Sequence, residues 1–307
     1  MQKQARAPRR VVDGVLLLDK SGGMTSNAAL QTARRLLNAL KAGHTGTLDP
    51  MATGLLPLTF GEATKFSQIL LDADKEYEAT LRLGIETDTG DAEGRVTATV
   101  AAEWDGARLE QALAALRGEI DQIPPMHSAL KRDGKPLYEY ARAGIEIERA
   151  PRRVCIHQLE LLEATADSLT IRVGCSKGTY IRSLAIDLGR MLGCGAHLTA
   201  LRRTRIGPFA VGQACSLEAL EALAVEARDG LLAPPDALVQ HFPPIELPPA
   251  DGQALLQGRV VGVPVAVPGP ARVYSEGRFL GLGEVGPDQR LAARRLIATQ
   301  AAVLVQS

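Results

Sequence analysis

One short loop of the sequence carries the side chains best suited to chemistry, an aspartate with a histidine and hydroxyls close by. The loop reads GHTGTLDP over residues 43–50. Glycine permits backbone conformations that other residues resist, and Pro50 biases the residue before it toward an extended conformation. Such a loop can present the carboxylate of Asp49 to a ligand. An aspartate before a proline is most often a turn residue, so this alternative stays open until the rest of the chain is considered.

Two other stretches resemble phosphate-binding motifs but lack features that those motifs need. The stretch GLGEVG at 281–286 has GxGxxG spacing, yet Pro287 follows it and it opens no strand-helix-strand unit. The stretch GVLLLDKS at 14–21 resembles a P-loop, but Asp19 replaces the second glycine and its carboxylate would repel a phosphate. We therefore expect no nucleotide triphosphate site and no cofactor.

The composition is that of a folded protein with room for two domains. The chain has 307 residues, of which 46% are hydrophobic and 23% charged, and its formal net charge is zero. A net charge of zero neither indicates nor excludes a polyanionic partner, so the evidence for one has to come from local clusters of basic residues. Such clusters occur at the N-terminus, at 149–153 and at 202–205, although each alone is also typical of an ordinary solvated surface.

The four cysteines stand far apart, which predicts neither a zinc site nor a dithiol redox centre. We expect reduced thiols, no metal and a cytoplasmic protein. The apolar run at 15–18 is too short for a signal-peptide core, and no segment approaches the length needed to span a membrane.

Apolar spacing predicts a mixture of helices and strands. Helices are expected from Thr25 or Ser26 to Leu40 and at 62–71, 107–116, 137–142, 180–192 and 217–224, and strands at 14–19, 77–83, 96–100, 154–162 and 169–173. In the helix at 180–192, Arg182 falls outside the apolar face. The pattern breaks into Pro, Gly and charge at 122–153, which indicates a basic insert, and proline pairs between 234 and 249 indicate a domain boundary.

Several longer strings, in this order, resemble the TruB family of tRNA pseudouridine synthases. They are GVLLLDK from residue 14, GHTGTLDPMATGLLPL from 43, KEYEATLRLG from 75, GTYIRSLAIDLG from 178 and HLTALRRTRIG from 197. The resemblance covers essentially the whole chain. It implies an α+β fold, with a mixed, mainly antiparallel catalytic sheet flanked by helices and a small C-terminal β-rich, PUA-like domain.

The resemblance also implies a division of the chain and an activity. Residues 1–10 would be a basic disordered tail, 11–245 the catalytic domain with a thumb-like RNA-binding insert at 122–153, and 246–307 the PUA-like domain. The implied reaction isomerises a uridine of the tRNA T loop, position 55 in tRNA convention, to pseudouridine. It breaks an N-glycosidic bond, forms a C-glycosidic bond and requires the target nucleotide to be flipped out.

By the same resemblance, Asp49 is the essential carboxylate, acting as a nucleophile at C1′ or as a base at C2′ of the ribose. Arg182 would pair with this carboxylate and lower its pKa. Tyr77 would stack on the target base, and its phenol is a candidate acceptor for the C5 proton. Without the flanking motif, Arg182 would be interpreted as an exposed helix charge, and a tyrosine on a strand is more commonly a core or cross-strand aromatic.

Further residues match positions that bind the RNA or shape the pocket. His44 would enter the space vacated in the T loop, Leu201 would form an apolar wall, and Lys20 and Tyr180 would orient the loop. The basic residues expected to contact RNA are Lys131, Arg153 and Arg202. In the insert, His127 stands where many relatives carry Tyr or Phe, which weakens the expectation of a hydrophobic contact there.

Two alternatives remain at this stage. One is an RNA-binding protein or tRNA-folding chaperone on the same scaffold, and the retained Asp49, Arg182 and Tyr77 argue against that as the sole function. The other is a guide-RNA-dependent synthase that needs partner proteins, whereas the long insert favours the independent type. We expect the tRNA T stem-loop as the partner, no required protein partner and a monomer.

Overall fold

The computed structural model describes residues 8–128, 130–264 and 267–297. Residues 1–7 of the tail predicted at 1–10, and residues 298–307 of the predicted C-terminal domain, lie outside the described residues. Arg10, which the sequence analysis assigned to the tail, is folded: its guanidinium pairs with Asp229 and donates from Nε to the carbonyl of Leu37 at 3.0 Å.

The described residues form strands and α-helices that are numbered here in chain order. The strands are β1 Gly14–Lys20, β2 Ala42–His44, β3 Thr53–Phe60, β4 Lys75–Leu83, β5 Ile85–Thr87, β6 Val96–Thr99, β7 Gly118–Gln122, β8 Lys131–Arg132, β9 Lys135–Pro136, β10 Arg152–Ala164, β11 Ser168–Cys175, β12 Ala196–Ile206, β13 Phe209–Ala210, β14 Pro244–Leu247, β15 Val261–Gly262, β16 Gly269–Ser275, β17 Arg278–Val285 and β18 Arg290–Leu296. The helices are α1 Ser26–Leu36, α2 Ser67–Asp72, α3 Gly106–Ala115, α4 Leu137–Arg142, α5 Ile181–Leu192, α6 Leu217–Ala222 and α7 Pro249–Leu256.

A mixed, mainly antiparallel sheet of nine strands organises the first part of the chain. Its central order is β1-β3-β12-β4-β11-β10-β7, with β2 on β3 and β13 on β12. The pairing of β12 with β3 is parallel and the other pairings in this sheet are antiparallel. The α+β fold class expected from the sequence is confirmed.

One face of this sheet is apolar and carries the helices. On β4, Ala79, Leu81 and Leu83 are buried, and because strand residues alternate, the residues between them face the opposite side. Helices α1, α3 and α5 contribute buried residues to the same core. Helix α5, which begins with Ile181 and Arg182, is thereby packed against β12 and β4.

Two predicted helices differ from the structure. Helix α1 is capped by the Thr25 hydroxyl as expected but ends at Leu36, so Leu40 is 56% exposed and does not face the core. The predicted helix at 62–71 is a 3-10 helix, Gly61–Phe66, followed by α2. The discarded GLGEVG stretch lies mainly in β17, an antiparallel strand, which agrees with its rejection as a dinucleotide motif.

A second sheet, in the order β14-β16-β17-β18-β15, forms the C-terminal part. It begins at Pro244, close to the predicted boundary at 246. It has its own core but also completes a cluster with the first part, where the rings of Phe66 and Phe279 lie 5.5 Å apart. Among the helices that the structure describes, none combines the length and apolar character needed to cross a membrane.

Candidate active site

Asp49 and Arg182 come together from distant parts of the chain. Asp49 lies in the loop between β2 and β3, and Arg182 is the second residue of α5. The Nε atom of Arg182 is 2.9 Å from Oδ2 of Asp49, and its Nη2 donates to Oδ1 at 3.3 Å. A guanidinium that meets a carboxylate at two points fixes both its distance and its orientation. The pair expected from the sequence is present.

Arg182 is held by more than this carboxylate. Its Nη1 donates to the carbonyl of Thr89 at 3.2 Å and its Nη2 to the carbonyl of His127 at 2.6 Å. Oδ2 of Asp91 lies 3.7 Å from Nε. The side chain of Arg182 is only 4% exposed, whereas that of Asp49 is 33% exposed. The arginine is thus immobilised from four sides, and the carboxylate is the member of the pair that a ligand can reach.

The protonation of Asp49 reflects two opposed influences. Burial raises the pKa of its carboxyl, and the charge of nearby Asp91 adds to this rise, while Arg182 and Lys20 lower it. The net direction is upward from the ordinary value of 3.8. Arg182 lowers this pKa as the sequence predicted, but desolvation of the carboxyl outweighs the ion pair.

Lys20 is buried at the end of β1 beside the same loop. Its Nζ donates to the main-chain carbonyls of Ser21, Met24 and Pro50 at 2.9, 2.8 and 3.3 Å. Burial lowers the pKa of this ammonium to about 8, although Asp49 opposes the effect. Lys20 therefore ties the residue after Asp49 to β1, and it contributes a positive charge to the site.

Tyr77 lies on β4 next to Arg203 of β12, its register partner. Burial raises the pKa of the phenol above its ordinary value of 10, an effect that the charge of Arg203 opposes and that of Asp49 reinforces. Leu201, 8% exposed, lies on the same face of β12 and belongs to the main core.

The loop that carries Asp49 packs closely on β12. A Cβ added at Gly54 would lie 2.3 Å from the carbonyl oxygen of Arg203, so only glycine fits where β3 passes this strand. The guanidinium of Arg203, 1% exposed, donates to the carbonyls of Leu55 and Gly46 at 2.8 and 3.2 Å. The loop is therefore anchored through its main chain, which leaves its side chains available.

His44 ends β2 at the start of this loop, paired with Leu58 of β3. Burial and the charge of Arg203 lower the pKa of its imidazole, so the ring is neutral near pH 7. Within the described part of the chain, its buried Nδ1 has no hydrogen-bond partner. A neutral ring offers no charge to a phosphate, and its buried Nδ1 is not accessible from solvent.

Tyr180 is the residue that precedes α5, two positions before Arg182. Its main-chain N–H and C=O both bond to the side-chain amide of Gln122, at 2.7 and 3.0 Å. Burial raises the pKa of its phenol, and the charges of Arg152 and Arg182 oppose this. Tyr180 therefore lies beside the Arg182 end of the site, and its expected role in orienting the loop stays a prediction.

The three basic residues expected to contact RNA are not gathered at Asp49. Lys131 is exposed on β8 of the insert, and Arg153 of β10, 65% exposed, pairs with Glu119 at 3.1 Å. Arg202 pairs with Asp19 and lies on the outer face of the main sheet, since it alternates with Leu201 and Arg203. Lys131 and Arg153 remain candidates for a peripheral surface, whereas Arg202 points away from the core side.

Sequence reasoning missed three residues of the site: Asp91, Arg203 and Gln122. Asp91, 4% exposed, accepts from the Thr89 hydroxyl at 2.6 Å and from the main chain of Glu93 at 3.1 Å. The acidic turn at 86–93 was its only signal. Arg203 was masked by its neighbours in a basic run, and strand alternation along 196–206 would have separated it from Arg202.

The fold and this site together define a class, the pseudouridine synthases. Three family models match: the N-terminal domain of TruB family pseudouridylate synthases at residues 34–181, the tRNA pseudouridylate synthase B C-terminal domain at 182–247, and the C-terminal domain of pseudouridine synthase II TruB at 243–297. The chain belongs to the TruB family, as the sequence resemblance indicated.

Curated relatives match over nearly their whole length. A protein of Aromatoleum aromaticum named tRNA pseudouridine synthase B is 70% identical over 299 residues, covering 97% of both chains. Proteins of the same name from Azoarcus sp. and Dechloromonas aromatica are 65% and 56% identical, covering 97% and 93% of this chain and 99% and 96% of theirs.

Solved structures with the same fold are more distant in sequence. A chain in a structure of an H/ACA RNP bound to a substrate RNA containing 2′-deoxyuridine matches with a TM-score of 0.70 at 25% identity, covering 94% of this chain and 86% of that one. A chain of a Cbf5-Nop10-Gar1 complex gives 0.68 at 27% identity, covering 94% and 84%.

Proposed function

We propose that this protein converts uridine to pseudouridine in tRNA, at the T-loop position numbered 55. The observation that carries the proposal is the pairing of the reachable Asp49 carboxylate with the immobilised Arg182, in a chain of the TruB family. The name of the curated relatives supports tRNA as the substrate class.

The reaction is an isomerisation, so substrate and product have the same atoms. The C1′–N1 bond breaks, the uracil turns, C5 bonds to C1′, and a proton lost from C5 is balanced by one gained at N1. Asp49 acts as the nucleophile at C1′ or as the base at C2′, and both routes require its ionised form. Arg182 favours the ionised form against the effect of burial, and it fixes the direction in which the carboxylate points.

The remaining residues support binding of the base. Tyr77 and Leu201 supply apolar surface on neighbouring strands, on the same side of the sheet as Arg203. Lys20 holds the main chain beside Asp49, and Tyr180 lies directly before the helix that carries Arg182. A base inside a folded T loop has to leave its stack before it can reach Asp49, at a cost of about a few kcal/mol. His44, at the entrance of the loop, would occupy the vacated space.

The insert at 122–153 would contact the RNA outside the pocket. It contains the β8-β9 hairpin and α4, with Lys135 over the ring of Tyr140 at 5.0 Å and Arg142 over Tyr138 at 5.4 Å. Lys135 also lies 3.9 Å from Glu139, which compensates part of its charge, whereas the exposed Lys131 and Arg142 of α4 add positive charge to the insert that is suited to phosphates. We further propose that the protein acts in the cytoplasm as a monomer without a protein partner, and the long insert supports the independent type over the guide-RNA-dependent one.

The test is chemical mapping of pseudouridine in unmodified tRNA transcripts after incubation with the purified protein and no additives. The wild type should modify position 55, and Asp49→Asn should form no product while binding RNA within about tenfold of wild type, or roughly 1.4 kcal/mol. Asp167→Asn is the matched control, since Asp167 pairs with Arg82 at 2.7 Å away from the site. Full activity of Asp49→Asn, or product at another position, would contradict the proposal.

A further inference from the structure

The last residue of β7 is tied to the residue that opens α5. Gln122 is 1% exposed, and its side-chain amide bonds to the main chain of Tyr180 in both directions. Nε2 donates to the Tyr180 carbonyl at 3.0 Å, and Oε1 accepts from the Tyr180 N–H at 2.7 Å. A glutamine amide is the side chain that offers a donor and an acceptor side by side, so it fits a peptide unit at two points.

This clamp determines how the chain enters the helix that carries Arg182. Within the described residues, the side chain of Tyr180 makes no capping bond to α5, and the first turn of α5 contains no acidic residue. The orientation of that turn therefore depends on contacts from outside the helix. A second tether runs nearby, where the Ser183 hydroxyl donates to the carbonyl of Ile123 at 3.0 Å.

The same segment also reaches Arg182 directly. The carbonyl of His127, five residues after Gln122, accepts from Nη2 at 2.6 Å, and the neighbouring Nη1 donates to Thr89. Residues 122–127 thus lie over the first turn of α5 and form the base of the insert. A displacement of β7 relative to α5 would move Arg182 away from Asp49, since the guanidinium cannot keep all its partners from a shifted main chain.

We propose that Gln122 is a positioning residue for the reaction: by clamping the main chain of Tyr180 it sets the place of Arg182 and, through it, the direction of the Asp49 carboxylate. The proposal rests on the proposed function only for its effect on catalysis. Its structural half, the control of the Arg182 and Asp49 pair by Gln122, is testable without RNA.

The test compares Gln122→Met, which keeps the length of the side chain but removes both bonds, with Gln158→Met. Gln158 is half-buried on the adjacent strand β10 and serves as the matched control. The first readout is solvent exchange of the Arg182 Nε proton by ¹⁵N NMR, assigned by its loss in Arg182→Lys. We expect exchange to be about tenfold faster in Gln122→Met and unchanged in Gln158→Met, because exchange reports local opening.

The second readout is the single-turnover rate on saturating T stem-loop RNA, well below the melting temperature. A misplaced pair should lower this rate about 10- to 100-fold, with RNA affinity within about threefold of wild type. The acid limb of the rate should also move to higher pH, since a weaker contact with Arg182 leaves the Asp49 carboxyl harder to ionise.

A merely structural role predicts a different result, namely a lower melting temperature with unchanged Nε exchange and an unchanged pH profile, and that would overturn the proposal. If Gln122→Met does not fold, Gln122→Asn gives the same readouts, because it keeps a neutral amide but is one methylene too short to meet both main-chain groups of Tyr180 in the same way. Wild-type protein that forms no pseudouridine would overturn the proposed function, while the Nε exchange would still decide the role of Gln122.

Discussion

Arg202 and Asp19 form a two-point ion pair on the outer face of the main sheet, with Nη1 3.0 Å from Oδ1 and Nη2 2.7 Å from Oδ2. The pair begins a row of alternating charges across neighbouring strands. Glu78 lies opposite both Arg202 and Arg172 in the strand register, and Arg172 bonds to Glu78 at 3.0 Å. A charge that is already compensated in this way has little to offer a phosphate.

We therefore expect the affinity for RNA to fall as salt is added, and we expect only the basic residues without an acidic partner to contribute to this salt dependence. We expect Lys131→Gln to reduce the slope of log affinity against log salt concentration by about 1, because each phosphate contact releases counterions. Arg202→Gln, which removes a charge from the outer face, should leave the slope unchanged. Affinities measured by filter binding between about 50 and 200 mM salt decide this, and equal slopes for Lys131→Gln and wild type would exclude the insert as a phosphate contact.

The geometry of Arg182 predicts that its charge alone is not sufficient. Arg182→Lys keeps the charge, but an ammonium cannot donate at once to Asp49, Thr89 and His127 in the planar arrangement seen here. We expect the single-turnover rate to fall about 100-fold or more, with RNA affinity within about threefold. Arg190→Lys is the control on the same helix, since Arg190 is 69% exposed. Near-normal turnover in Arg182→Lys would show that orientation of the carboxylate is unimportant.

The raised pKa of Asp49 predicts an acid limb in the pH profile. Because the ionised carboxylate is the active form and burial raises its pKa above 3.8, activity should decline at a higher pH than an ordinary aspartate would require. Single-turnover rates on saturating RNA measure this limb, with affinity determined at each pH as the control. A rate that stays at its plateau down to about pH 4 would mean that the Arg182 pair outweighs desolvation after all.

The sequence predicted the fold and the central pair for different reasons. The elements with clear apolar periodicity, such as β4 and α5, lie within two residues of their predicted positions. Strands β3 and β12 were not predicted. Strand β3 is buried at almost every position, and β12 is interrupted by arginines, so neither shows an alternation with a period of two. Their parallel contact is long-range and has no local signature.

Within the site, residue identity was easier to predict than environment. Asp49, Tyr77 and Arg182 were found through their motifs, but the net direction of the Asp49 pKa depends on how deeply the loop is covered, which no motif encodes. Asp91 and Gln122 act through contacts with the distant residues Arg182 and Tyr180, and neither stands in a recognisable pattern. The basic run at 202–205 is split between the two faces of β12, which the run of residue types does not reveal.

Lys20 predicts a measurable dependence of stability on pH. Its pKa is lowered to about 8 in the folded protein, whereas an exposed lysine has the ordinary value of 10.5. Between these two values the unfolded state binds more protons than the folded state, so the free energy of unfolding rises with pH in this window. Below about pH 8 both states are protonated, and the full cost of burying the ammonium opposes folding.

Lys20→Met removes the contribution of Lys20 to the difference in bound protons between the folded and unfolded states, since methionine fills similar space without a titratable group. The difference in unfolding free energy, wild type minus Lys20→Met, should rise with pH by up to about 1.4 kcal/mol per unit between roughly pH 8 and 10. Lys75, whose pKa is also lowered to about 8, is present in both proteins and cancels. Urea unfolding at several pH values measures the difference, with the exposed Lys41→Met as the control. A difference that does not change with pH would mean that Lys20 is as well solvated in the folded protein as in the unfolded chain, which its position beneath Pro50 does not permit.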